Sequence, residues 1–158
     1  MEIKRKYQRR DDAVDNRTVV RKVVLEGCLG DWSKKSYIGT LAQKARESEI
    51  VLYAVDTKDL KDIERTDYED PIHFVNKESN WAAYNAIDQV DFVFIVTPHE
   101  FHCKIAGHWL EKGKLKENGR IFIEKPLDSS PENVDGLTKK YGDVQRKIIA
   151  VDHYILKI

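Results

Sequence analysis

The chain has 158 residues, 41% of them hydrophobic, which is enough for one sizeable core, and its length points to a single domain. Lysines and arginines number 27 and aspartates and glutamates 27, so no global field favours nucleic acid or an acidic membrane, and no apolar run approaches the length of a membrane span. Cys28 and Cys103 lie far apart without metal-ligand spacing, which predicts reduced thiols and no metal site.

The opening MEIKRKYQRR is basic and runs at once into DDAVD. Residues 1–18 therefore read as a solvated or frayed arm, not as a presequence, and residues 19–158 as one folded domain. No aromatic-rich sheet motif or recognition-helix signature accompanies the basic stretch, so no nucleic-acid role is expected; with no signal peptide or span, the expected location is the cytoplasm. VVRKVVLEG is a first strand, and it ends in EGCLGDWSKKS. There Gly27 and Gly30 let the backbone turn sharply and approach a pyrophosphate, and small Ser33 allows close packing of the helix that follows. The match to GxGxxG is incomplete, because Leu25 stands where the first glycine would be. A tight strand-to-helix turn needs glycine with or without a ligand, and both readings stay open.

Tyr37, Ile38, Leu41, Ala42 and Ala45 recur at helical spacing, and IVLYAVDT then gives a second strand ending at Asp56. A carboxylate there can accept hydrogen bonds from a ribose diol and repel a 2′-phosphate, or it can cap the turn into TKDL; Lys34 and Lys58 offset the first reading because either can reach a phosphate. IHFVN is a short strand with a helix behind it in ESNWAAYNAID. VDFVFIVTP is a fourth strand, closed by Thr97 and Pro98, and Phe101, Ile105, His108, Trp109 and Lys112 continue as a helix. His102 falls in that helix's first turn and, like His99 and His108, reads more simply as a structural residue than as a ligand. KLKENG reads as a plain surface turn. RIFIEKP places Glu124 and Lys125 directly after a buried run, where Pro126 also makes an ordinary strand exit. Ser130, Pro131 and Glu132 open a capped helix, and KIIAVDHY is a last strand that ends in Asp152, His153 and Tyr154, with Lys157 beyond. Strands alternating with helices predict an α/β fold: a doubly wound, mainly parallel Rossmann-type sheet with helices on both faces, binding its ligand beyond the carboxyl ends of the strands.

Thr97 to His102 (TPxxxH) and Glu124 to Pro126 (EKP) resemble the nucleotide-binding half of the glucose-fructose oxidoreductase, inositol dehydrogenase and rhizopine catabolism (Gfo/Idh/MocA) family. GCLGDWSKKSYIGTL and DHYILK are similar to the stretches GASGDLAKRKIYPTL and DHYLGK of glucose-6-phosphate dehydrogenases, which share that two-domain plan and also carry EKP. The resemblance runs from about residue 19 to the end. It has departures: Leu156 replaces the glycine of DHYLGK, Gly39 stands at the helix proline, and Asp56 replaces the serine or arginine usual around an NADP 2′-phosphate.

The resemblance implies that Gly27, Gly30, Asp31, Asp56, Thr97, Pro98, Glu124 and Pro126 surround a dinucleotide, NAD or NADP with NAD favoured by Asp56. It implies that Lys125 bonds the substrate hydroxyl that loses hydride, that Pro126 keeps Lys125 in place through a cis bond, and that Asp152 orients a histidine base. His153, Tyr154 and Lys157 would hold a sugar or sugar phosphate. The base itself, the substrate domain and any homo-oligomer contact would lie in a second domain absent from this chain. The expected function is thus the NAD(P)-binding domain of a sugar or sugar-phosphate dehydrogenase, inactive alone; the alternatives are a non-catalytic nucleotide-sensing module and a Rossmann-like scaffold without nucleotide.

Overall fold

A computed structural model describes residues 20–58 and 72–152. The arm of residues 1–18 and the stretch 153–158 lie outside the described residues. Among the described residues six strands form one sheet: β1 (Arg21–Glu26), β2 (Ile50–Asp56), β3 (Ile72–Asn76), β4 (Val90–Ile95), β5 (Leu115–Glu124) and β6 (Ile148–Val151). Their order is β3-β2-β1-β4-β5-β6, and every pairing is parallel. This is the expected doubly wound sheet. β-Branched and aromatic residues on both faces of the central strands can be satisfied only by helices above and below.

Alternate residues of β1 divide the core. Val23 and Leu25, with Leu52 and Ala54 of β2, pack under α2 (Ile38–Arg46) through Ile38 and Ala45. Val24, Val55, Val93, Ile95, Ile121 and Ile123 face the other way, against Tyr84 of α3 (Trp81–Ala86), Trp109 of α4 (His102–Leu110) and Leu137 of α5 (Pro131–Tyr141). Side chains alternate across a pleated strand, so the two sets occupy opposite faces. No helix among the described residues is long and apolar enough to cross a membrane.

Local structure departs from expectation in three places. The helix expected from Tyr37 onward is preceded by a short α1 (Asp31–Ser36), and Tyr37, at φ −120° and ψ −55°, breaks the two apart. KLKENG is not a plain turn. Leu115 pairs with Val90, the register then shifts, and Arg120 stands opposite Phe92, so most of the segment is an irregular start to β5. Its polarity has a packing cause: Lys116 Nζ lies 2.7 Å from Oδ2 of buried Asp91, which also accepts the Lys22 N–H at 2.8 Å. Ser130 precedes α5 and Pro131 opens it, but the Ser130 side chain does not cap the helix. Asp128 instead orders the turn ahead of the helix, with Oδ1 accepting from Ser130 N at 3.1 Å and from the side-chain Nδ2 of Asn133 at 2.7 Å.

Candidate functional site

β1 and β4 are neighbours, yet the helices that follow them cover opposite faces, so the sheet splits open beyond their carboxyl ends. A cleft of about 600 Å³ lies there, and Gly27, Gly30, Asp56, Thr97 and Pro98 all line it. The residues singled out after three separate strands therefore meet in one place.

Gly27 has φ +81°, and a Cβ on it would come within 3.0 Å of Thr97 Cγ2 and the Val96 carbonyl oxygen. Only glycine allows this turn to lie so close to the end of β4. The loop's own amides point inward: Gly27 and Cys28 donate to the Val55 carbonyl at 2.9 and 3.2 Å, Gly30 to Gly27 at 3.1 Å, and Leu29 to Asp56 Oδ2 at 2.8 Å. After Gly30 the chain enters the first turn of α1, where N–H groups have no intrahelical carbonyl to reach. Exposed Asp31 is the first residue of that turn, and Ser33, fully buried, lets the helix sit close to the sheet. Gly30 has ordinary extended angles, φ −65° and ψ 145°, and a Cβ on it would have its nearest neighbour at 3.4 Å.

Asp56 is 7% exposed. Besides Leu29 N it accepts the N–H groups of Thr57 and Lys58 on Oδ1, at 2.8 and 3.1 Å. It thus joins the glycine loop to the turn after β2, as a turn cap does, and it also lines the cleft.

Beneath the cleft is a group that strand-end reasoning passed over. Glu26, the last residue of β1, is fully buried, and its Oε1 accepts from Tyr84 Oη at 2.7 Å and Trp109 Nε1 at 2.8 Å. Its Oε2 lies 3.0 Å from Lys77 Nζ. Burial and then the Glu26 charge push the Tyr84 phenol far above its usual range, so it stays a donor. The signal was a glutamate closing an apolar strand, a charge that must be paired if water is excluded. Trp81, 57% exposed, and Phe101, 47% exposed, stand as aromatic walls, and His108 stacks on Tyr84 with ring centroids 4.6 Å apart. Two buried polar atoms on the lining, Thr97 Oγ1 and His108 Nε2, find no hydrogen-bond partner among the described residues. Burial lowers the His108 pKa, which keeps the ring neutral. Aromatic walls, lysines 58, 77 and 104 on the lining and two orphaned polar atoms together fit a flat heterocycle joined to a sugar and phosphates.

The strand ends on the other side of the switch point are built differently. His102, 1% exposed, sets its Nδ1 2.9 Å from the Pro126 carbonyl and its Nε2 2.8 Å from the Thr97 carbonyl, in keeping with a structural histidine. Glu124, 7% exposed, accepts a short hydrogen bond from the Tyr37 hydroxyl, and burial together with that carboxylate raises the Tyr37 pKa. Its spacing in the sequence marks Tyr37 only as a helix-face residue. The Lys125–Pro126 bond is cis, and Lys125 Nζ lies 2.7 Å from Asp152 Oδ2. His153, Tyr154 and Lys157 lie outside the described residues. Both cysteines are free and buried, and burial pushes the Cys103 thiol up to about 12, so neither is a poised nucleophile. No metal-ligand cluster occurs among the described residues.

The family that matches the sequence, over residues 21–153, is Gfo/Idh/MocA, described as an oxidoreductase family with an NAD-binding Rossmann fold. No curated protein sequence matches. Among solved structures, the WlbA (WbpB) dehydrogenase from Thermus thermophilus, in complex with NAD and UDP-GlcNAcA, is 17% identical with a TM-score of 0.57, over 87% of this chain and 43% of that one. The scyllo-inositol dehydrogenase from Lactobacillus casei, with bound NAD(H) and scyllo-inositol, is 18% identical with a TM-score of 0.56, over 83% and 36%. Glucose-6-phosphate 1-dehydrogenase from Mycobacterium avium is 16% identical with a TM-score of 0.61, over 86% and 37%. At these identities the likeness is one of fold, and the chain spans less than half of each structure.

Proposed function

Because the chain belongs to the Gfo/Idh/MocA oxidoreductase family, as its NAD-binding Rossmann domain, we propose that it is the cofactor half of a dehydrogenase acting on a sugar or sugar phosphate. The observation that carries this reading is the meeting of Gly27, Gly30, Asp56, Thr97 and Pro98 around one cleft. The first turn of α1, beginning at Asp31, receives the pyrophosphate, and the aromatic walls receive the adenine. NAD is favoured over NADP because the Asp56 carboxylate faces the ribose hydroxyls and repels a 2′-phosphate. A bound nicotinamide supplies the hydride acceptor or donor.

The chain's own part in the chemistry falls to the strand ends after β5 and β6. Lys125 offers its ammonium to the substrate oxygen that gains negative charge, and Asp152 holds that ammonium in place. Glu124, fixed by Tyr37, and Pro126 hold the turn that carries Lys125. His153, Tyr154 and Lys157 contact the sugar or its phosphate. The base and the far wall of the pocket belong to a substrate domain, and without them this chain alone turns over no sugar.

Calorimetric titration with NAD, NADH, NADP and ADP-ribose tests the reading. NAD should bind at least as well as NADP, and Asp56→Ala should narrow the difference. Gly30→Val should abolish dinucleotide binding while the fold persists, since Gly30 has ordinary backbone angles. Normal binding by that variant would reduce the loop to a turn and favour a scaffold without nucleotide.

A further inference from the structure

His102 stands between two turns that carry the site. Its Nε2 is 2.8 Å from the Thr97 carbonyl oxygen, in the turn that lines the cleft, and its Nδ1 is 2.9 Å from the Pro126 carbonyl oxygen, beside Lys125. Carbonyl oxygens only accept. A neutral imidazole donates through one nitrogen and accepts through the other, so in either neutral tautomer one contact sets two lone pairs against each other. With the ring 1% exposed, water cannot relieve that opposition. Both contacts become hydrogen bonds together only when both ring nitrogens carry protons.

Charged groups of both signs lie on the elements around the ring. Of the titratable groups on the neighbouring elements, Glu124, Lys125 and Asp128 stand at and after the end of β5 and Glu132 in the first turn of α5. His99, Glu100, Cys103 and Lys104 flank His102 along its own segment, and Asp152 reaches this region through its pair with Lys125. Hydrogen bonds from Asn133, Cys103 and Ser130 outweigh the effect of burial on Asp128 and hold its carboxyl down at about 2, so it is anionic at any pH of interest. The turn after β4 adds no charge before His99.

We propose that His102 is a positioning residue that acts as a doubly protonated staple: its imidazolium binds the Thr97–Pro98 turn to the Lys125–Pro126 turn, and loss of one ring proton releases one of them. Hydride transfer as proposed above needs the cleft and the Lys125 ammonium at a fixed separation, so the functional consequence, though not the staple itself, rests on that reading.

Nitrogen-15 NMR of the histidine ring tests the staple directly. His102 should show the pattern of two protonated ring nitrogens, and as pH rises the backbone amides of His99 and of Leu127 and Asp128 should shift with the same midpoint as the ring. The amides of Gly27 and Gly30 should not follow. A single neutral tautomer throughout the folded pH range, or turn amides indifferent to the ring, would overturn the proposal. His102→Gln should remove the joint transition; if that variant does not fold, the wild-type spectra alone still decide.

Binding measured on both sides of the transition links the staple to the site. NAD affinity should fall by about two- to tenfold as the ring deprotonates, the worth of one hydrogen bond. ADP-ribose, which lacks the nicotinamide end, should hold its affinity. A constant NAD to ADP-ribose ratio would deny the positioning role, whereas failure of both ligands to bind at any pH would remove the dinucleotide reading and leave the staple to the spectra.

Discussion

Among the described residues, two lysine–carboxylate pairs stand at the carboxyl ends of the strands, and they differ in almost everything but their chemistry. Lys77 and Glu26 lie 3.0 Å apart with side chains 17% and 0% exposed, under the cleft beside β1. Lys125 and Asp152 lie 2.7 Å apart with side chains 45% and 34% exposed, beyond β5 and β6. Glu26 has further donors in Tyr84 and Trp109, and by them one carboxylate fastens α3 and α4 to the sheet. Water covers much of the second pair and competes for both partners. The carboxyl end of β1 is thus finished as core, whereas the ends of β5 and β6 are left open to water.

The comparison breaks most visibly at Glu26. Glu26→Ala leaves a buried phenol, a buried indole N–H and a half-buried ammonium without their acceptor, and should cost about 3–5 kcal/mol of unfolding free energy in urea, the range for breaking a buried pair. A loss under about 1 kcal/mol would put Glu26 in the same class as the exposed pair.

Gly27→Ala comes next. Its φ of +81° and the 3.0 Å approach to Thr97 and Val96 should together cost about 1–3 kcal/mol, while Gly30→Ala should change stability by under about 0.5 kcal/mol. Equal losses at the two glycines would mean that Gly27 has room the structure denies it.

Acid sharpens the comparison on the open side. The Asp128 carboxyl titrates at about 2 when folded, burial opposing and the bonds from Asn133, Cys103 and Ser130 prevailing; unfolded, it titrates near 4. A depressed carboxyl stabilises the fold above its unfolded pKa, and that contribution disappears as pH falls from about 4 to about 2. Allowing for solvent screening, it amounts to about 1–2 kcal/mol, and Asp128→Asn should flatten that part of an acid-unfolding profile. An unchanged profile would show that these hydrogen bonds do not favour the charge.

Lys125→Ala should have the smallest effect, under about 1 kcal/mol in stability, with NAD affinity unchanged in the same calorimetric titration. In a complete enzyme it should lower turnover far more than cofactor binding. A large loss of stability in the isolated chain would make the Lys125–Asp152 pair structural.

Much of this was legible in the residues. Alternating apolar strands and helices imply the parallel sheet, and the sheet implies a cleft beyond its carboxyl ends, where Gly27, Asp56 and Thr97 stand. KLKENG was misread because the polarity of an irregular strand start resembles that of a loop; only the Asp91 partner of Lys116 separates them. Glu26 was passed over because a charge closing a strand looks like decoration until its burial is known.

Sequence by itself therefore determined what depends on neighbours along the chain: the period of the strands, the glycines of the first turn, the prolines that close β4 and β5. Tertiary structure alone decided which distant groups share a proton or a charge. Glu26 with Tyr84 and Trp109, Tyr37 with Glu124, and His102 with the Pro126 carbonyl are contacts between segments with whole strands between them in the chain. Hydrogen bonds act over about 3 Å in whatever direction the packed backbone points them, and local residue order carries no record of that direction.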